Sequence, residues 1–213
     1  MKDNVFFVSG IDTNVGKSYA TGYLAKTWNE QGVRTITQKF IQTGNVGMSE
    51  DIELHRKIMG TGLLPEDESG LTMPEIFTYP CSPHLAAEID HRPIDFDKIE
   101  KATRQLSETY DAVLLEGAGG LMVPLTRDLL TIDYVALKNY PLIFVTSGKL
   151  GSINHTLLSL EAITRRGIRL HTVAYNLFPE EDDDIIRRDT EAYIRDLLAK
   201  EYPETHFVVI PKF

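Results

Sequence analysis

The sequence predicts an α/β fold: a single doubly wound, mostly parallel sheet with helices on both faces. Short apolar runs alternate with amphipathic stretches along all 213 residues, the order expected of strand–helix repeats that pair in parallel. Several of those runs are almost unbroken in Val, Ile, Leu and Phe, as strands covered on both sides should be. At this length one well-buried domain spanning residues 1–213 is expected.

The elements follow in order. Val5–Val8 reads as the first strand, followed by a glycine-containing loop and a helix from Ser18 to about Gln31. Val33–Ile41 is the second strand, Ala112–Leu115 the third, Leu142–Thr146 the fourth, His171–Tyr175 the fifth and Phe207–Ile210 the sixth. Between them Phe96, Ile99, Leu106 and Tyr110 recur on one helical face, as do Ile186, Tyr193, Ile194 and Leu197. Asp182, Asp183 and Asp184 open that last helix. A metal site is one reading of the acidic run. A solvated helix start is the one adopted, because carboxylates suit the positive end of the helix dipole.

Composition removes several classes of function. Cys81 is the only cysteine, which excludes an internal disulfide framework and a cysteine-based zinc cluster; it reads as a small buried hydrophobe. No apolar run approaches the length of a membrane-spanning helix. The N-terminal apolar run is too short for a signal peptide, so a cytoplasmic location is expected. Thirty-one acidic against 22 basic residues leave a formal charge of −9, which opposes non-specific binding to nucleic acid. Lys17, Lys39 and Lys149 lie beside glycine-rich or loop-like segments, where a local positive pocket can gather them.

The chemistry concentrates after the first strand. Gly10-Ile11-Asp12-Thr13-Asn14-Val15-Gly16-Lys17-Ser18 leads from strand to helix, the setting of a phosphate-binding loop and hence of a P-loop NTPase-like domain. Glycines let main-chain N–H groups curl toward phosphate oxygens, and the helix N-terminus adds its dipole. Lys17 would reach the β- and γ-phosphates, and the Ser18 hydroxyl would ligate Mg²⁺. Five residues separate Gly10 from Gly16 where the common pattern has four. No G-x-G-x-x-G is present at this point, so a dinucleotide fingerprint does not apply. After the third strand comes Glu116-Gly117-Ala118-Gly119-Gly120. An acid at a strand end can hold Mg²⁺ directly or through water, and the glycines admit close approach. Alone this segment is an ordinary tight turn; beside the phosphate loop it reads as the second half of a nucleotide site.

Five segments together resemble the dethiobiotin synthetase family. The loop Gly10–Ser18 is similar to G-T-D-T-x-V-G-K-T, including the longer spacing. Gln38-Lys39-Phe40-Ile41-Gln42-Thr43-Gly44 resembles its K-P-x-x-[ST]-G strand, and Ser82-Pro83-His84 its S-P-H element. Glu116-Gly-Ala-Gly-Gly-Leu-Met-Val-Pro124-Leu125 resembles E-G-A-G-G-x-x-x-P-L, and Lys149-Leu-Gly-Ser-Ile-Asn-His155 a later K-L-G-x-I-N-H helix start. The resemblance implies ATP- and Mg²⁺-dependent formation of dethiobiotin from 7,8-diaminononanoate and CO2 (or bicarbonate), through a carbamate and a carbamic–phosphoric anhydride. It implies catalytic roles for Lys17 and Lys39. Nucleotide contacts fall at Thr13, Asn14, Val15, Gly16, Lys17, Ser18, Tyr19, Glu116, Gly117, Ala118, Gly119 and the base-contacting Asn176. Metal ligands are Ser18, Asp51 and Glu116, with Glu50 and Glu53 as neighbouring alternatives to Asp51. Substrate contacts are Thr43 and Ser82, together with Gly151, Ser152 and Asn154 at a helix start that a second subunit contributes, so a homodimer is implied with the substrate site at the subunit interface.

The departures are specific. Phe40 stands where the family has proline, so the strand end is expected to follow a different path. Ser18 and Thr43 exchange serine and threonine but keep the hydroxyl. The sequence ends at Ile210-Pro211-Lys212-Phe213, short of an acidic segment that longer members place near the base. Base preference therefore stays open, with ATP expected. His84 and His155 are read as packing or capping groups, since the family's mechanism needs no histidine base. The competing reading is a P-loop ATPase switch of the partitioning or metal-cofactor-delivery type. It would share Lys17, Ser18 and an acid near Glu116, but would need neither Lys39-x-x-x-Thr43 nor the 149–155 element.

Overall fold

The computed structural model describes residues 4–178 and 183–212. In chain order the elements are β1 (Val5–Gly10), α1 (Lys17–Glu30), β2 (Thr35–Lys39), β3 (Gln42–Thr43), α2 (Glu50–Met59), α3 (Pro65–Glu68), β4 (Ile76–Phe77) and α4 (Pro83–Ile89). They continue with α5 (Phe96–Thr109), β5 (Ala112–Glu116), α6 (Thr131–Lys138), β6 (Leu142–Ser147), α7 (Ser152–Arg165), β7 (Leu170–Asn176), α8 (Asp184–Glu201) and β8 (His206–Ile210). Six strands form one sheet in the order β2-β5-β1-β6-β7-β8, and every neighbouring pair is parallel. The expected doubly wound sheet is present, with all six of its strands.

Side-chain alternation along the strands divides the core into two layers. Val8, Leu114, Ile143, Val145 and Ala174 face α1 through Ala20, Leu24 and Ala25. Phe7, Val113, Leu115, Phe144 and Val173 face the opposite way, toward Ile99 and Leu106 of α5, Ile132 of α6, Leu160 of α7 and Ile194 of α8. Helix α2 packs on α1 and reaches β2. Gly22 makes that close: a Cβ there would stand 3.1 Å from two carbons of Ile58.

Three expectations are corrected. The second strand does not run through Val33–Ile41; it stops at Lys39, and Gln42–Thr43 pairs with β4 in a separate two-stranded sheet. Phe40 and Ile41 are apolar because both are fully buried, not because the strand continues. The Phe40 ring packs edge-on to Phe7 at 5.5 Å and against Tyr134 at 4.7 Å. Its N–H donates to Glu116 O at 2.8 Å, a bond that proline lacks. On α8 the buried face is Thr190, Ile194 and Leu198, whereas Tyr193 is exposed; a threonine takes the inward place assigned to the tyrosine. Cys81 is half-buried.

Asp183 caps α8, accepting from the N–H groups of Ile185 and Ile186, so the solvated helix-start reading fits. Asp182 lies outside the described residues. No helix among the described residues is long and apolar enough to cross a membrane.

Candidate active site

Parallel pairing brings strand ends with the same polarity to one edge, and the chemistry collects there. Directly after β1, Gly16 caps α1 with φ +82°, a conformation that glycine tolerates. A Cβ there would fall 2.1 Å from Asn176 Nδ2. Asn176, fully buried at the end of β7, donates to Val15 O (3.0 Å) and Gly16 O (3.3 Å). It thereby latches the loop. Thr13 and Asn14 are exposed at the loop's crest and Val15 is buried beneath it. The ring of Tyr19 leans on Phe178 at 5.9 Å. Lys17 Nζ arches over the loop to donate to Asp12 O (2.8 Å) and Thr13 O (3.1 Å). Burial lowers its pKa to about 8, helped by the nearby Lys39 charge and opposed by Glu116 and Asp51.

The two glycine segments abut. A Cβ on Gly120 would lie 3.3 Å from Gly10 O, and one on Gly119 3.7 Å from Thr13 Oγ1. Gly117 is buried beside them and Ala118 is half-buried.

Lys39 and Glu116 are register partners at the ends of β2 and β5, so their side chains leave the sheet on the same face. Over that face lies α2. It starts at Ser49, whose hydroxyl accepts from Ile52 N–H, with Glu50, Asp51 and Glu53 in the first turn. Helical spacing of four aligns Asp51 with His55, and both point at the strand ends. Lys39 Nζ lies 2.5 Å from Asp51 Oδ2 and 2.8 Å from Glu116 Oε1. Ser18 Oγ lies 2.6 Å from Asp51 Oδ1 and 2.9 Å from Glu116 Oε1. Ser18, Asp51 and Glu116, the three expected metal ligands, meet here, while Glu50 and Glu53 are exposed. All three donors are oxygens, the set a hard Mg²⁺ ion takes. On the chemistry of these donors the residues fit the ion. Burial alone would raise the Glu116 carboxyl, but Lys39 and then His55 hold it well below the usual carboxylate range. The Lys39 ammonium, although buried, is held above its ordinary value by Glu116 and Asp51.

The other expected residues sit around this edge. Half-buried Thr43 ends β3, and Ser82 precedes α4 with its hydroxyl 3.0 Å from His84 Nδ1. That contact gives His84 a local structural partner. Gly151 caps α7, Ser152 is buried with Oγ 3.1 Å from Ser147 Oγ, and Asn154 is exposed. Lys149 is exposed just beyond the end of β6. Sequence reasoning missed Thr37, His55, Arg56 and Asp67, four buried polar side chains behind Glu116. The one signal for His55 is its spacing of four from Asp51.

Comparison with known proteins agrees with this geometry. The AAA domain family matches residues 4–211. Among solved structures, the MinC:MinD cell division protein complex of Aquifex aeolicus aligns with a TM-score of 0.57 at 13% identity, covering 99% of this chain and 82% of that one, a likeness of fold. An ATP-dependent dethiobiotin synthetase of Pasteurella multocida is 52% identical over 97% of this chain and 96% of its own length. A second, from Haemophilus influenzae, is 58% identical over 86% of this chain and 96% of its own. A phosphate loop and strand-end acid on this sheet, with identity at that level over nearly the whole length, place the chain in the ATP-dependent dethiobiotin synthetase family.

Proposed function

We propose that this chain closes a cyclic urea on 7,8-diaminononanoate with CO2 at the expense of ATP, and that residues 1–213 act as one catalytic unit in the cytoplasm. The observation that carries the reading is the meeting of Lys17, Lys39, Ser18, Asp51 and Glu116 at one edge of the sheet. The reaction must bring a carbamate and a triphosphate together, and two ammonium groups at that edge answer the repulsion between them.

One amine adds to CO2 and loses a proton, giving the carbamate. A carbamate oxygen attacks the γ-phosphorus, and ADP leaves with the electron pair of the broken P–O bond. The second amine attacks the carbamic carbon, the C–O bond to phosphate breaks, and loss of the amine proton leaves the urea ring and inorganic phosphate. Positioning and charge stabilisation are the protein's main tasks. Lys17 and Lys39 stabilise the transferring phosphoryl oxygens. The amides of the Thr13–Tyr19 segment, with Gly117, Ala118 and Gly119, hold the nucleotide, and Asn176, fully buried with its amide engaged by Val15, Gly16 and Phe178, serves by holding that loop in place. Ser18, Asp51 and Glu116 would hold Mg²⁺, which supplies charge neutralisation and a fixed phosphate orientation. Thr43 and Ser82 meet the diamine. Gly151, Ser152 and Asn154 of a second subunit offer helix N–H groups to its carboxylate, in a homodimer.

The test is direct: incubate the protein with 7,8-diaminononanoate, bicarbonate, Mg²⁺ and ATP, and assay by mass spectrometry. Dethiobiotin is the expected product. ATP hydrolysis that ignores the diamine, with no dethiobiotin, would favour the nucleotide-driven switch instead.

A further inference from the structure

Behind Glu116 runs a file of buried polar groups that the reaction scheme leaves unused. Asp67 of α3 accepts from Arg56 Nε and Nη2, each at 2.8 Å. Arg56 Nη1 donates to Thr37 Oγ1 at 2.8 Å. Thr37 Oγ1 lies 3.0 Å from His55 Nδ1, and His55 Nε2 lies 2.8 Å from Glu116 Oε2. Thr37, His55 and Glu116 are fully buried, and Arg56 and Asp67 are 1% exposed.

The donors fix the direction of the file. A guanidinium only donates, so Thr37 Oγ1 accepts from Arg56 and keeps one proton to give. If His55 carried its hydrogen on Nδ1 alone, the Nε2 lone pair would face a carboxylate oxygen at hydrogen-bond distance. If both ring nitrogens carried hydrogens, the Thr37 hydroxyl proton would be buried without that acceptor, a costly arrangement. Only one assignment satisfies every group: Thr37 donates to Nδ1, and Nε2–H donates to Glu116 Oε2.

We propose that Asp67, Arg56, Thr37 and His55 form a positioning relay that clamps Glu116 by Oε2 and so turns Oε1 toward Ser18 and Lys39. His55 is a positioning residue, since it acts through Glu116. The inference rests on Glu116 serving as a metal ligand in the proposed reaction. The tautomer carries its own readout, independent of activity.

Nitrogen NMR of the full-length protein with isotope-labelled histidine reads that tautomer, with the His55 signals assigned by their loss in His55→Gln. Hydrogen on Nε2 and a bare Nδ1 are expected; a hydrogen on Nδ1 overturns the relay. In a second arm, the Mg²⁺ concentration giving half-maximal turnover is compared across variants. His55→Leu should raise it 10–100-fold, the usual scale for losing a hydrogen-bond partner of a metal ligand. Calorimetric binding of metal-free ADP should stay unchanged. His55→Gln, which keeps an N–H able to reach Glu116, should recover most of the loss. Equal loss in both variants, or an unchanged Mg²⁺ requirement in His55→Leu, overturns the proposal. Should His55→Leu fail to fold, Thr37→Val keeps the side-chain shape while cutting the file between Arg56 and His55; a raised Mg²⁺ requirement is expected in it, and an unchanged one is the overturning result. A wild type that makes no dethiobiotin would sink the functional reading, whereas the NMR outcome judges the relay by itself.

Discussion

The sheet has two flanks around β1, and they are stabilised in different ways. On the β5–β2 side, Lys39 and Glu116 are buried at the strand ends, and Thr37, His55, Arg56 and Asp67 are buried beside them. On the β6–β7 side the buried strand positions carry no charge: most are apolar, such as Ile143, Phe144, Val145, Val173 and Ala174, and the polar ones, Thr146, Ser147, Thr172 and Asn176, are neutral. Burying charge is costly unless each group is paired and hydrogen-bonded. The first flank accepts that cost next to the phosphate loop, where fixed charges serve the chemistry. The second supplies apolar burial, the ordinary source of stability. One side of the molecule is built for placement of charge and the other for cohesion.

Cutting the charged flank at its structural end gives the largest expected effect. Asp67→Asn leaves Arg56 buried without its counter-charge and should cost roughly 3–5 kcal/mol of stability at neutral pH, the range for a broken buried pair. Burial alone would raise the Asp67 carboxyl, but bonds from Arg56 and then Thr72 keep it below its usual 3.8. A depressed carboxylate contributes stability above its unfolded pKa and loses it as pH falls through the folded one. Denaturant titrations of wild type and variant should therefore differ most near neutrality and converge well below pH 3.8. A gap that does not change with pH would mean the pair is not what holds this flank.

The catalytic end of the same flank comes next. Lys39→Ala should lower kcat by about 10²–10³-fold, roughly 2.7–4 kcal/mol of barrier, as for other lost transition-state donors. The substitution also leaves the buried Glu116 without its ammonium partner, so kcat is compared on protein whose folded state is checked by circular dichroism. Near-normal turnover would remove Lys39 from the mechanism and leave this flank with a structural role alone.

The same division explains what the sequence made legible. The phosphate loop and the 116–120 segment are contiguous, their function depends on local glycine geometry, and both were readable in place. Lys39 was readable because a lysine inside an apolar strand run is rare. By contrast Glu50-Asp51-Ile52-Glu53-Leu54-His55-Arg56-Lys57 looks like an ordinary solvated helix. Its inward residues are identified only once α2 is laid over β2, which is a tertiary fact. Strand length failed for a related reason: Phe40 and Ile41 are buried by the ring cluster on the far face, and an apolar run does not tell a strand from a packed turn. The buried threonine of α8, Thr190, defeated a pattern search that counts apolar residues alone.

The smallest expected effect is the one that separates the flanks most cleanly. Ile143 is fully buried in β6, packed with Val8, Leu24, Val145 and Ala174 in the layer beneath α1. Ile143→Val removes one carbon from a neutral core and should cost about 0.5–1.5 kcal/mol. No polar group loses a partner, and the backbone bonds of β6 are unchanged. Stability should fall by that amount while the Mg²⁺ requirement and kcat stay at wild-type values, measured on the same preparation. A loss of turnover from this one carbon would show that apolar packing under α1 also sets the geometry of the phosphate loop, and the assignment of placement to one flank and cohesion to the other would have to be abandoned.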